Sequence, residues 1–220
     1  MRTVIFDLDG TLADTAADMI AAANACFRAL GAGDLLDPGA DAATAFHGGR
    51  AMLRLGFARL GQGGEAEVDA AFPTFIAQYE ADLVSRSRFY PGARDAVERL
   101  KAAGDRVAVC TNKPEALALG VLAGLGAADL FDAVIGADTL PSRKPDPAPY
   151  RAAVERAGGV LARSMMIGDT GTDLATARAA GVPCALVTFT ANAAEVAALD
   201  PEARLGSFDG LDAVVARLLG

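Results

Sequence analysis

The chain has 220 residues, 52% hydrophobic and 22% charged, the make-up of a globular protein rather than a disordered one. A net charge of −8 with no basic run excludes nucleic acid as a partner. No run of about 18 uncharged apolar residues occurs, so no membrane span is expected.

The first ten residues, MRTVIFDLDG, place acid inside the apolar run, which does not read as a signal peptide. Strand-like runs follow at 3–6, 106–110, 133–135, 164–167 and 184–187. Each is short, apolar and rich in Val, Ile or Met, as strands covered on both faces are. Between the later runs lie helical patterns at 93–103, 114–125, 147–157 and 172–180, several of them followed by Gly or opened by Pro. This alternation predicts an α/β fold with a doubly wound parallel sheet, Rossmann-like, joined by right-handed crossovers. One stretch breaks the rhythm. From 14 to 88 no strand pattern appears, and helices are expected over 14–30, 49–60 and 65–83. The predicted organisation is a core of 1–13 and 89–220 with a helical cap inserted at 14–88. Cys26, Cys110 and Cys184 are odd in number and far apart, so they read as reduced, buried thiols of a cytoplasmic protein.

In a doubly wound sheet, ligands bind beyond the carboxyl ends of the strands. The first strand delivers Asp7, Asp9 and Thr11 to that rim. The second delivers Thr111, Asn112 and Lys113, the third is followed by Lys144, and the fourth delivers Asp169 and Asp173. Carboxylates this close repel, and they are costly to desolvate without a positive partner. A hard divalent cation with oxygen ligands, Mg²⁺, resolves the conflict. Zinc is disfavoured because only one His exists and no Cys pair is near. An acidic protein binds an anion only through such a local cation, a lysine or aimed backbone N–H groups. The rim therefore has the outline of a phosphoryl-transfer site, in which positioning and electrostatics carry the reaction and a carboxylate can be the nucleophile.

Taken together, "DLDGT" at 7–11, "TNK" at 111–113, Lys144 before "PDP", and "GDTGTD" at 168–173 resemble the four motifs of the haloacid dehalogenase-like phosphohydrolases, in order and spacing. The resemblance implies Asp7 as nucleophile, Asp9 as general acid/base, and Thr111 and Lys144 as phosphoryl-stabilising groups. It implies Mg²⁺ held by Asp7, the Asp9 carbonyl and Asp169, with Asp173 a ligand or an anchor behind the ligands. Asp9 separates the chain from the true dehalogenases, which carry another residue there. The lack of lysine over 14–30 and 49–60 separates it from phosphonoacetaldehyde hydrolases.

In the insert, "DTAADMIAAANACFRALG", "HGGRAMLRLGF" and "YEADLVSRSRFYPGA" are similar to bacterial phosphoglycolate phosphatases. Thr11, Asn112, Arg50 and His47 are candidate substrate-binding residues. Arg50 serves either a substrate carboxylate or a salt bridge within the cap, and His47 reads as a polar cap contact rather than a catalytic group. Lys113 reads as a solvated lysine. The expected partner is a small phosphate ester, acted on by a monomer or homodimer. A sugar-phosphate phosphatase or phosphoglucomutase-like enzyme is the alternative. A phosphorylatable receiver-like module fits less well, because such modules lack the insert and the second Asp.

Overall fold

The apolar run at the N-terminus becomes the strand around which the rest of the sheet is laid. The computed structural model describes every residue except Gln62. In chain order the elements are β1 (Thr3–Phe6), β2 (Ala13–Asp14), α1 (Ala16–Ala29), α2 (Ala42–Phe46), α3 (Gly49–Arg59), α4 (Glu65–Ala81) and β3 (Arg88–Phe89). They continue with α5 (Ala93–Ala102), β4 (Arg106–Cys110), α6 (Glu115–Gly124), β5 (Ala133–Ile135), α7 (Pro147–Arg156), β6 (Ser164–Gly168) and α8 (Gly171–Ala180). The last are β7 (Cys184–Val187), α9 (Ala193–Ala197), β8 (Ala203–Leu205) and α10 (Leu211–Leu219). The chain divides into two compact units, Met1–Asp14 with Phe89–Gly220, and Thr15–Arg88.

The first unit holds a six-stranded sheet in the order β5-β4-β1-β6-β7-β8, every pair parallel. Thr3 of β1 lies opposite Arg106 of β4 on one side and Ser164 of β6 on the other. All four residues of β1 are buried, which explains why the strand reads as an unbroken apolar run instead of an alternating one. On one face Ile5, Ala108, Cys110 and Met166 pack against Tyr150 and Val154 of α7 and Leu174 and Ala177 of α8. The one polar tip in that layer is satisfied: Tyr150 Oη donates to Ser164 Oγ at 2.8 Å, which in turn donates to the Leu161 carbonyl. All three cysteines are free and buried.

The sheet is as the alternation predicts, with additions. The edge strand β8 has Arg204 in the middle of three residues, too short to show a period, and is fixed by its pairing with β7. Helices α9 and α10 also lay outside the predicted set. The expectation that no strand touches 14–88 is corrected at both ends. Asp14 and Arg88 belong to two-residue strands that form a separate two-stranded sheet, and two residues carry no readable periodicity.

In the second unit α1 packs against α3 and α4. Phe27 and Phe57 meet edge to face, with ring centroids 5.4 Å apart. Buried Asp18 accepts from the Arg86 backbone N–H and guanidinium and from Ser87 Oγ, tying the end of the unit to α1. Among the described residues no helix is long and apolar enough to cross a membrane.

Gly136 follows β5 and lies against the start of α6. An added Cβ there would lie 2.3 Å from the Glu115 backbone nitrogen, which is backbone and cannot swing away. Gly136→Ala should therefore lower stability by about 1–3 kcal/mol, read from urea unfolding with unchanged m-value.

Candidate active site

Adjacent strands β1, β4 and β6 end side by side, and each hands its next residues to the same rim. The ladder continues one residue past β1, where the Asp7 N–H donates to the Ile167 carbonyl at 2.9 Å. The chain then turns tightly. Leu8 and Leu12 are fully buried, the N–H groups of Leu12 and Ala13 both reach the Leu8 carbonyl, and Gly10 takes φ 77°. This turn leaves Asp7 9% exposed, with Oδ1 accepting from the Leu8 N–H at 2.7 Å.

Lys144 arrives from the loop after β5. Its Nζ lies 3.1 Å from Asp7 Oδ1 and donates to Asp173 Oδ1 at 2.7 Å, and the residue is only 3% exposed. Asn112 steadies that loop by donating to the Lys144 carbonyl at 3.0 Å. After β6, Asp169 is fully buried between two donors, Thr11 Oγ1 on Oδ1 at 3.0 Å and Asn192 Nδ2 on Oδ2 at 2.6 Å. Thr170 is the N-cap of α8. Asp173 Oδ2 accepts from the N–H groups of Asp169 and Thr170 and from Thr170 Oγ1, as the third residue of a capping box does. Gly168 makes this possible, since a Cβ there would lie 2.3 Å from the Asp173 side chain.

One oxygen from each of Asp7, Asp169 and Asp173 lies within 4.8 Å of the others. Burial pushes the Asp7 carboxyl up to about 6, with Asp173 and Asp9 adding to the rise and Lys144 opposing it. Asp169 is raised well above the ordinary range, first by burial and then by Asp173 and Asp7. For Lys144 burial alone would favour the neutral amine, but Asp173 and Asp7 outweigh it and the ammonium is strongly held. Cys110, at the end of β4, is pushed up to about 12 by burial and is a packed thiol, not a nucleophile.

The structure thus brings together Asp7, Lys144, Asp169 and Asp173. Asp9 does not join that cluster with its carboxylate, whose Oδ1 instead accepts from Lys113 Nζ at 2.8 Å. The reading of Lys113 as solvated is corrected. It is 6% exposed, because the mostly covered Asp9 carboxylate next to the chain turn needs a cation and the strand end supplies one. Thr111 is 4% exposed, and its Oγ1 accepts from the Lys113 N–H at 3.1 Å. Thr11 and Asn112 use their side chains on Asp169 and on Lys144. Asp173 has both oxygens engaged within the core, the arrangement of an anchor. His47 and Arg50 lie in the second unit. There Arg50 pairs with Asp69, and its guanidinium sits 4.5 Å from the Phe72 ring centroid.

Sequence reasoning passed over Asn192 and Thr170. Asn192 follows β7 at the same end of the sheet, so extending the strand-end rule to a fifth strand would have found it.

A family model described as haloacid dehalogenase-like hydrolase matches residues 1–181. A protein of Mesorhizobium japonicum named phosphoglycolate phosphatase is 37% identical over 219 residues, 98% of this chain and 95% of that one. Another so named, from Agrobacterium fabrum, is 39% identical over 210 residues, covering 94% of this chain and 89% of its own. Among solved structures, a predicted phosphoglycolate phosphatase from Haemophilus somnus superposes with TM-score 0.79 at 24% identity, covering 97% of each chain. A haloacid dehalogenase-like family hydrolase from Streptococcus pneumoniae does so with TM-score 0.77 at 20% identity, covering 97% of this chain and 98% of that one. These two show a shared fold. The family match spans every strand end that carries Asp7, Thr111, Lys144 and Asp169, and by it the chain belongs to the haloacid dehalogenase-like hydrolases.

Proposed function

We propose that this enzyme hydrolyses a small phosphate monoester, 2-phosphoglycolate, by way of a phosphoryl group carried on Asp7. The observation that carries the reading is the buried Lys144 bridge. It fixes one Asp7 oxygen beside a permanent positive charge, in reach of a phosphoryl group arriving at the rim. The substrate follows the relatives that bear that name.

The residues fit a divalent cation. Every donor in the cluster is an oxygen, as Mg²⁺ requires. Asp7, Asp169 and Asp173 cluster around a single lysine, Lys144, which contacts Asp7 and Asp173 but not Asp169, an excess of negative charge that one divalent ion balances. Asp7, Asp169 and the Asp9 carbonyl would hold it. When bound, Mg²⁺ supplies charge neutralisation to the phosphoryl oxygens and to the carboxylates around it.

In the first step an Asp7 oxygen attacks phosphorus, the bond from phosphorus to the ester oxygen breaks, and Asp9 gives its proton to the departing alkoxide. In the second, water attacks phosphorus, Asp9 takes the water proton, and the bond to Asp7 breaks to release phosphate. Lys144 and Thr111 steady the charge on the transferring group. Asp173 positions Lys144 and does not itself touch substrate.

Asp7→Asn should lower kcat by on the order of 10⁴ or more, and Asp9→Asn by about 10²–10⁴, in a phosphate-release assay. Release measured across phosphoglycolate, hexose phosphates and nucleotides, with Mg²⁺ or with chelator, should be fastest on phosphoglycolate and vanish with chelator. A tenfold preference for a hexose phosphate, about 1.4 kcal/mol, would replace the substrate named here.

The Asp7 carboxyl also sets a pH dependence. Its folded value, about 6, lies above the ordinary 3.8, so its contribution to stability is present below about 4 and lost as pH rises through about 6. In chelator, Asp7→Asn should gain on the parent by about 2 kcal/mol between pH 4 and pH 7. Mg²⁺ should cancel most of that gain. Urea unfolding at the two pH values, with and without the ion, reads both effects.

A further inference from the structure

Asn192 stands in the loop between β7 and α9 and is 2% exposed. Its Nδ2 donates to Asp169 Oδ2 at 2.6 Å, opposite the Thr11 hydroxyl on Oδ1. Two loops from different strands therefore clamp one carboxylate. With the cation bound, Asp169 is an ionised carboxylate that only accepts, which matches the amide's N–H facing it. That leaves Asn192 Oδ1, which is buried and receives no hydrogen bond from any described residue. A buried amide oxygen without a donor is uncommon and calls for a partner beyond the side chains around it. The amide's oxygen and nitrogen share one carbon, so this acceptor stays beside the Asp169 carboxylate. Magnesium held by few carboxylates keeps several waters, and each is a strong donor.

We infer that Asn192 is a positioning residue of the cation site: its N–H aims Asp169, and its Oδ1 accepts from water bound to the ion. The inference rests on the divalent-cation reading above. Partners of this kind, standing behind a ligand, are worth about 10- to 100-fold in metal affinity.

The test is a titration of metal-stripped full-length protein with Mn²⁺, following the free ion by electron paramagnetic resonance. Asn192→Ala and Asn192→Ser are compared with the parent. The expected result is Mn²⁺ affinity about 10- to 100-fold weaker in both variants. Activity should recover largely at saturating Mg²⁺, with KM for the phosphate ester unchanged. Should the Ala variant not fold, the Ser variant carries the comparison. Parent-like Mn²⁺ affinity in a folded variant would overturn the inference and leave the cation reading standing. Absence of Mn²⁺ binding by the parent itself would overturn the cation reading and this inference with it. Loss of fold in both variants would overturn it too, in favour of a purely structural role.

Discussion

Lys144 has almost no contact with water, and it is charged because Asp7 and Asp173 lie on either side of it. A buried ammonium in a parallel α/β core is a heavy desolvation burden, and two near carboxylates offset it only if the geometry is held closely. Much of the surrounding local structure serves that requirement. Asn112 fixes the Lys144 backbone, Thr170 and two N–H groups fix the far oxygen of Asp173, and Gly168 clears the space through which Asp173 reaches. The helix start and the ion pair are one construction. The same carboxylate that caps α8 also holds the lysine.

A second lysine divides the labour. Lys113 pairs with Asp9, and Lys144 with Asp7, so the two aspartates of the opening motif face different cations despite standing two residues apart. This separation follows from the turn at Leu8 to Ala13, which ends the extended chain after Asp7 and sends Asp9 another way. Strict alternation past the strand end would have put both carboxylates on one side. Two carboxylates in two electrostatic settings are suited to unlike roles, such as the attacker and proton carrier proposed for them.

Much of this was legible in the residues. Buried parallel strands announce themselves as short apolar runs, and β1, β4, β5 and β7 have the bounds that those runs predict. Rim residues were legible because strand ends in this architecture converge, so Asp7, Lys144 and Asp169 could be gathered without knowing any distance. Asn192 and α10 were within reach of the same rules, but much of what else escaped had no local signature. The strands β2, β3 and β8 are two or three residues long and exist by virtue of their partners. Lys113 looks like any polar residue after a strand, and its burial is decided by Asp9, far away in sequence. The scaffolding uses of Thr11 and Asn112 were hidden for the same reason, since a hydroxyl or an amide at a rim fits a ligand and a neighbouring side chain equally well.

The sheet order has a consequence for how the chain is made. The strand that leads into Asp7 is synthesised before both of its sheet neighbours, which begin at Arg106 and Ser164, yet it lies between them in the interior of the sheet. Until the later of these has been synthesised, an apolar segment has at least one open edge and two acidic residues at its tip. Pairing of such high sequence separation closes slowly and leaves unpaired edges exposed in the interval. The helical unit, Thr15–Arg88, is complete well before that point and packs within itself, α1 against α3 and α4. During translation, then, a finished helical module precedes the sheet, and the rim that gathers Asp7, Lys144 and Asp169 forms only after the strand that begins at Ser164 has been made.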